Sequence, residues 1–202
     1  MNIAILGSGN IGGSLGSKWA AAGHHVVFGT RDPENSKLAA LLATIPGAQA
    51  DSLAGAIASA EVVLFALPSK AVPEAAAAHA KALDGKILID ATNQFGAPVI
   101  NHLQTLHASA PQARIYRAFN SLGWEVFADP VVAGVEADLF YTGADGPVRK
   151  QIEELIQAVG LRPIWVGDND LAEVVDALGQ LWVTLVVQRG WKRRWALKAV
   201  TG

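Results

Sequence analysis

The feature that most limits what this chain can fold into is the run Gly7-Ser8-Gly9-Asn10-Ile11-Gly12, set between two segments of different character. Before it lies Asn2-Ile3-Ala4-Ile5-Leu6, an apolar run too short for a helix, which reads as a buried parallel strand. After it, Gly13 to Ala22 reads as a helix, and Gly23 stops that helix. Val26-Val27-Phe28 is a second strand, leading into Gly29-Thr30-Arg31. Strand, glycine turn, helix and strand in this order is the pattern that binds a dinucleotide. Gly7 allows the tight turn out of the strand, Gly9 lets a pyrophosphate approach the backbone, and Gly12 lets the helix pack close to the sheet. Backbone N–H groups at the helix start then face the phosphate, whose charge the helix dipole favours.

The end of the second strand selects the dinucleotide. An NAD site places Asp or Glu about 20 residues beyond the fingerprint, where it binds the ribose 2′-hydroxyl. Here Thr30-Arg31 stands in that place. A guanidinium grips a 2′-phosphate with two parallel hydrogen bonds, and the Thr30 hydroxyl can add a third. The sequence therefore predicts NADP. Asp32 reads as a turn residue before Pro33.

With 202 residues, 51% of them hydrophobic and 17% charged, the chain is long and apolar enough for one globular domain. A net charge of −2 points away from a nucleic-acid surface. The absence of cysteine excludes disulfides, thiolate metal sites and a Cys nucleophile, and fits a reducing, cytoplasmic setting. The first strand begins at residue 2, so no signal peptide is expected, and no apolar run reaches the length of a membrane span.

Further on, Pro33-Glu34 reads as the start of a helix through Leu42, and Ala48-Gln49-Ala50 as a short strand. Asp51 or Ser52 caps a short helix through Ala58. Val62 to Leu67 and Lys86 to Asp90 are buried strands flanking an Ala-rich helix over 72–83. A connector over 94–113 is partly helical near 99–106. Arg114 to Ala118, Leu139 to Thr142 and Arg162 to Val166 are further strands, with a helix over 147–159 before the last. Residues 170–200 read as helical with a break at Gly190. Strands alternating with helices predict one α/β domain over 1–202, a doubly wound, mostly parallel Rossmann-type sheet with a C-terminal helix.

In such sheets ligands lie outside the carboxyl ends of the strands. Those ends are Gly7–Ile11, Thr30–Arg31, Ala66–Pro68, Ala91–Asn93 and Phe119–Leu122. Asn93 and Asn120 stand where a nicotinamide carboxamide would need partners, and equally suit Asx turns. No nucleophile elbow and no metal-ligand spacing appears, and none of the five histidines reads as a base or ligand. No catalytic side chain is therefore named. Reducing a carbonyl usually wants a proton donor, whereas hydride passing between two flat rings needs mainly stacking and orientation.

Taken in order, Ile5 to Gly12, Gly29-Thr30-Arg31, Asp90-Ala91-Thr92-Asn93, Ala118-Phe119-Asn120, Leu161 to Ile164 with Gly167, and Gln180-Leu181-Trp182 resemble the NADP oxidoreductases that use the deazaflavin coenzyme F-420 (F420). They also look like the reductase domain of the STEAP-type ferric reductases. The resemblance implies a domain that binds NADPH and passes hydride to a flavin-like ring: coenzyme F-420, FMN or FAD. Carried over by position, Ser8, Gly9, Asn10 and Ile11 would wrap the pyrophosphate, and Thr30 and Arg31 would hold the 2′-phosphate. Leu67, Pro68, Asn93, Phe119 and Leu122 would line the nicotinamide and its partner ring, beside Ala66 and Asn120. The chain departs from the archaeal enzymes at Asn120, where His is usual, and at Gly123-Trp124, in place of Pro-Ala; both changes lie where the second ring should sit.

Trp191-Lys192-Arg193-Arg194-Trp195 could dock at an anionic membrane, but reads first as a basic helix end facing the negative pole of its dipole. Leu178 to Val187 reads as core or as the surface of a homodimer, with no stable membrane insertion. Two other functions stay open. One is an NADPH-binding sensor without turnover. The other is an NADP-dependent reductase of a small imine or carbonyl, such as a pyrroline-carboxylate-type enzyme, for which the chain leaves little room for a separate helical dimer domain.

Overall fold

The computed structural model describes residues 1–201. The chain opens on β1 (Asn2–Leu6), α1 (Asn10–Ala21) and β2 (His25–Thr30), then α2 (Ser36–Leu42), β3 (Gln49–Ser52), α3 (Leu53–Ser59) and β4 (Val62–Phe65). There follow α4 (Val72–Ala78), α5 (Ala80–Leu83), β5 (Ile87–Asp90), α6 (Leu103–Ser109) and β6 (Arg114–Arg117). The last third holds α7 (Trp124–Ala128), β7 (Val131–Val132), β8 (Val135–Glu136), β9 (Asp138–Gly143), α8 (Pro147–Val159), β10 (Arg162–Gly167) and α9 (Ala172–Val183).

Eight strands form one sheet in the order β10-β9-β6-β5-β4-β1-β2-β3. From β3 to β6 every pairing is parallel. This is the 3-2-1-4-5-6 order of a doubly wound dinucleotide-binding sheet, which reverses direction between β1 and β4. β9 and β10 pair parallel to each other, but β9 meets β6 antiparallel through Tyr116 and Arg117 opposite Gly143 and Thr142.

The short apolar strands are buried on both faces, as their composition demands. In β1, Ile3 and Ile5 join a core with Trp19 of α1 and Ile152 of α8, while Ala4 and Leu6 join a second core with Ile57 of α3 and Val72 of α4. Trp19 is wholly buried, and its indole N–H donates to the Leu155 carbonyl at 2.9 Å. No described helix is long and apolar enough to cross a membrane.

Several boundaries differ from the sequence expectation for local reasons. α1 begins at Asn10 rather than Gly13, so the last fingerprint glycine already lies inside the helix. α2 begins at Ser36 because the Asn35 side chain accepts the Lys37 and Leu38 N–H groups, leaving Asp32-Pro33-Glu34 as a turn. The Ala-rich helix divides at His79, whose φ of −117° is not helical. α7 and the β7–β8 hairpin were not expected from the sequence; Ala133 and Gly134 both take positive φ in the turn, the geometry that suits a two-residue hairpin.

The largest correction concerns residues 170–200. α9 ends at Val183, a wider π-type turn covers Thr184–Gln188, and from Gly190 (φ +71°) onward the chain is an extended strap. The strap gains partners a helix could not reach. The Ala199 N–H donates to the Asp138 carboxylate at 2.7 Å, Lys198 does so at 2.9 Å, and the Asp138 N–H donates to the Leu197 carbonyl. Arg193 and Arg194 pair with Glu125 and Asp129. The basic Trp191–Trp195 stretch is therefore neither a helix end nor an unpaired basic patch.

Candidate functional site

The site is built where the sheet order reverses. β1 ends at Leu6, and Gly7, at φ +110°, turns the chain past the end of β4. A Cβ on Gly7 would come within 2.5 Å of the Ala66 carbonyl oxygen, so the residue must be glycine for both conformation and space. A Cβ on Gly12 would overlap the Gly7 carbonyl. Around Gly9 the situation is opposite: a Cβ there would meet nothing within 4 Å. Gly9 is also the N-cap of α1, and no side chain caps that helix. The first N–H groups of α1 therefore face an open concavity without a protein acceptor, which is the form of a phosphate cradle.

On one side of this turn lies a groove of about 490 Å³ between the end of β2 and α4. Gly7, Ser8, Thr30, Arg31, Leu67 and Pro68 all line it, together with the acids Asp32 and Glu74. Arg31 takes part in no ion pair or side-chain hydrogen bond among the described residues. The Asp32 carboxylate accepts the Glu34 N–H at 3.2 Å in an Asx turn, and the Thr30 hydroxyl accepts the Asp32 N–H at 3.2 Å. The cation at the tip of β2 is thus left free, while the acid beside it is engaged by its own loop.

On the other side lies a pocket of about 330 Å³. Gly9, Asn10, Ile11, Ala66, Asn93, Asn120 and Leu122 line it, and it is closed by Trp124, by Gly179 and Trp182 of α9, and by Arg193 of the strap. Arg193 lies over the Trp182 ring, 4.8 Å from its centroid.

Beneath this pocket is a fully buried charge cluster. Arg117 reaches from β6, Asp90 from β5 and Asp176 from α9. Arg117 Nε donates to Asp176 Oδ1 at 2.8 Å, its Nη1 lies 3.3 Å from Asp90 Oδ2 and donates to the Thr92 carbonyl, and its Nη2 donates to Asn93 Oδ1 at 2.6 Å. Thr92 and the His102 N–H donate to the two Asp90 oxygens, and Asn101 donates to Asp176 Oδ2. Burial pushes the His102 imidazole below its ordinary pKa, Asp90 pulls it back and Arg117 adds to the lowering, so the ring is neutral at pH 7.

This cluster fixes two amides. Asn93 is held at both ends, since its Nδ2 donates to the Asn120 carbonyl at 2.8 Å. Asn120 Nδ2 donates to Asp176 Oδ1 at 3.1 Å, a contact that sets which end of the amide is nitrogen. Its Oδ1 is left buried with no partner. A buried acceptor without a donor is costly unless a ligand supplies one. Asn120 itself lines the pocket.

Four expected site residues do other work; Leu67 and Pro68, expected beside the nicotinamide, line the groove with Arg31 instead. Phe119 does not line the pocket: it is buried edge-on between Trp19 and Phe127, with ring centroids 5.7 Å from each. Its φ of +60°, strained for a side chain of that size, turns the chain so that Asn120 faces the site. Gly12 lines neither cavity and acts through close packing. Arg117, Asp176 and Trp182 were not among the expected site residues. A signal for the first two was present: a charged residue inside an apolar strand or on the apolar stripe of a helix must find a partner when buried.

Residues 2–94 match the family model described as NADP oxidoreductase, coenzyme F420-dependent. The F420-dependent NADP reductase of Methanothermobacter thermautotrophicus is 27% identical over 93% of this chain and 90% of its own length. The metalloreductase STEAP3 of Rattus norvegicus is 27% identical over 87% of this chain, which spans 36% of that protein. A solved structure of a candidate F420-dependent NADP-reductase from Arthrobacter sp. FB24 superposes over all of both chains with a TM-score of 0.85 at 25% identity. The likeness drawn from the ordered motifs thus extends over nearly the whole chain.

Proposed function

With the chain a relative of the coenzyme F420-dependent NADP oxidoreductases, we propose that it transfers hydride between NADP(H) and a flat-ring acceptor, a deazaflavin such as F420 or a flavin such as FMN or FAD. The observation that carries this reading is the unpaired Arg31 at the tip of β2, in a groove lined by Gly7 and Ser8, next to the capless start of α1 whose Gly9 to Ile11 line the pocket beside Asn120. In this reading Arg31 and Thr30 hold the 2′-phosphate, and the open backbone at Ser8 to Ile11 holds the pyrophosphate. The unpartnered Asn120 Oδ1 accepts from the nicotinamide carboxamide; Asp176 holds the other end of that amide, and Asn93, itself held by Arg117, holds the Asn120 carbonyl. When bound, the nicotinamide supplies the hydride, and the acceptor ring takes it up. Ala66, Leu122, Trp124 and Trp182 keep that part of the pocket dry and orient the two rings. No side chain is assigned a proton-transfer role.

The exposed face of α9, with Val174 and Leu181, supports assembly as a homodimer. The proposal is tested by stopped-flow oxidation of NADPH against F420, FMN, FAD and a panel of carbonyls and imines. Turnover with a ring acceptor is the expected result; turnover only with imines or carbonyls, or none with any acceptor, overturns it. Arg31→Ala should weaken NADPH binding on the order of tenfold or more, through the lost charge-assisted hydrogen bonds, and NADH binding by less than about twofold. Equal losses for both would refute the 2′-phosphate contact.

A further inference from the structure

In the proposed reading the groove past Arg31 and the pocket beside Asn120 hold the dinucleotide and the acceptor ring. A third concavity, of about 610 Å³, opens from the same turn, meeting the groove at Ser8 and the pocket at Gly9 and Asn10, and extends beyond both. It runs along the outer face of α1, where Asn10, Ser14, Ser17 and Lys18 follow one another at helical spacing, and is walled by Lys37 of α2. It shares Gly9, Asn10 and Trp124 with the pocket, so the two spaces adjoin. No acidic residue lines it, although the chain as a whole carries a net charge of −2.

Neither lysine takes part in an ion pair among the described residues. Lys18 lies in the last turn of α1, where the helix dipole favours a cation. That explanation fails for Lys37. It stands in the first turn of α2, where the dipole opposes a cation, and it lines the groove together with a second lysine. Two uncompensated cations above two serine hydroxyls suit a ligand that is both anionic and hydroxylated.

We propose that this groove holds the hydroxylated, phosphorylated tail of the hydride acceptor, with Lys18 and Lys37 as partners of its phosphate and Ser14 and Ser17 beside its hydroxyls. The inference rests on the acceptor ring lying in the pocket beside Asn120. From Asn10, at the mouth of the pocket, to Lys18 is eight residues of helix, about 12 Å, the scale of an extended ribityl phosphate. The preferred substrates are then ring acceptors bearing an anionic side chain, rather than the bare rings.

The test compares riboflavin with FMN, which share a ring and differ by one phosphate, as acceptors from NADPH. For the wild type, kcat/KM should favour FMN on the order of tenfold at low ionic strength, mainly through KM, and the preference should shrink as salt is added. In the Lys18→Ala/Lys37→Ala double variant the ratio of FMN to riboflavin should fall towards one. Equal use of the two flavins by the wild type, or an unchanged ratio in the variant, overturns the proposal. A loss of NADPH affinity in the double variant, read by fluorescence titration, also overturns it, because the groove would then serve the dinucleotide. If no ring acceptor, F420 and FAD included, is turned over, the proposed reaction has failed separately; if only the two flavins are not, it stands. The groove is then tested by titrating FMN and riboflavin into the NADP⁺-saturated protein: tighter binding of FMN that needs the lysines supports it, and equal binding or none overturns it.

Discussion

The strap that closes the site depends on one carboxylate, and its contribution can be worked from the structure. Asp138 opens β9, and its side chain is fully buried. Burial alone would raise its pKa. Instead, hydrogen bonds from Arg162 at 2.7 and 2.6 Å, from Lys198 at 2.9 Å and from the Ala199 N–H at 2.7 Å hold it at about 2, against 3.8 for a free carboxyl. A carboxylate whose pKa is depressed by folding stabilises the fold at every pH above its unfolded value, and that stabilisation fades as pH falls through the folded one. The difference corresponds to about 2 kcal/mol at pH 7, shrinking to about 1 kcal/mol at pH 3.

Asp138→Asn removes this charge and turns an amide N–H₂ towards two of the four donors, so about 2 kcal/mol is a lower bound on the loss. For a chain of this length the melting midpoint should drop by about 4–8 °C. Denaturant unfolding of both proteins from pH 7 to pH 3 reads the effect directly, and the gap between their curves should narrow with acid. Asp129→Asn is the comparison: it breaks the Arg194 pair, in which both side chains are at least 40% exposed, and should cost less than about 1 kcal/mol. Equal stability of Asp138→Asn and the wild type at pH 7, or a gap that does not change with pH, would show that the clamp is not what holds the strap.

The two turn glycines should separate folding from binding. Gly9→Ala should keep the melting midpoint within about 2 °C, because its Cβ enters open space, yet weaken NADPH binding on the order of tenfold by filling the cradle. Gly7→Ala, with φ +110° and the Ala66 carbonyl in the way, should instead lower the yield of folded protein, read by circular dichroism. Arg117→Met should destabilise the fold by about 3–5 kcal/mol in denaturant unfolding, because it strands the buried Asp90 and Asp176 without their shared partner. Retention of wild-type stability would mean that Arg117 is not what compensates the two buried acids.

The first βαβ unit, the apolar strands and the cation at the tip of β2 were legible without coordinates because each is a local pattern. A glycine turn, a period of apolar residues or an Arg in place of an acid is complete within some thirty residues. The tertiary structure decided what depends on distant partners. Arg117, Asp90 and Asp176 come together only when β5, β6 and α9 are docked, and Asn120 acquires its bare acceptor only because Asp176 fixes its other end. Likewise, β9 could be read as a strand, but its antiparallel direction against β6 follows from how the chain crosses from α7 through the β7–β8 hairpin. The end of α9 was misread for the same reason. Leu178 to Val187 has the apolar character of a helix, but Lys198 and Ala199 bind Asp138, some sixty residues away in sequence, and long-range contacts of that kind leave no periodic trace.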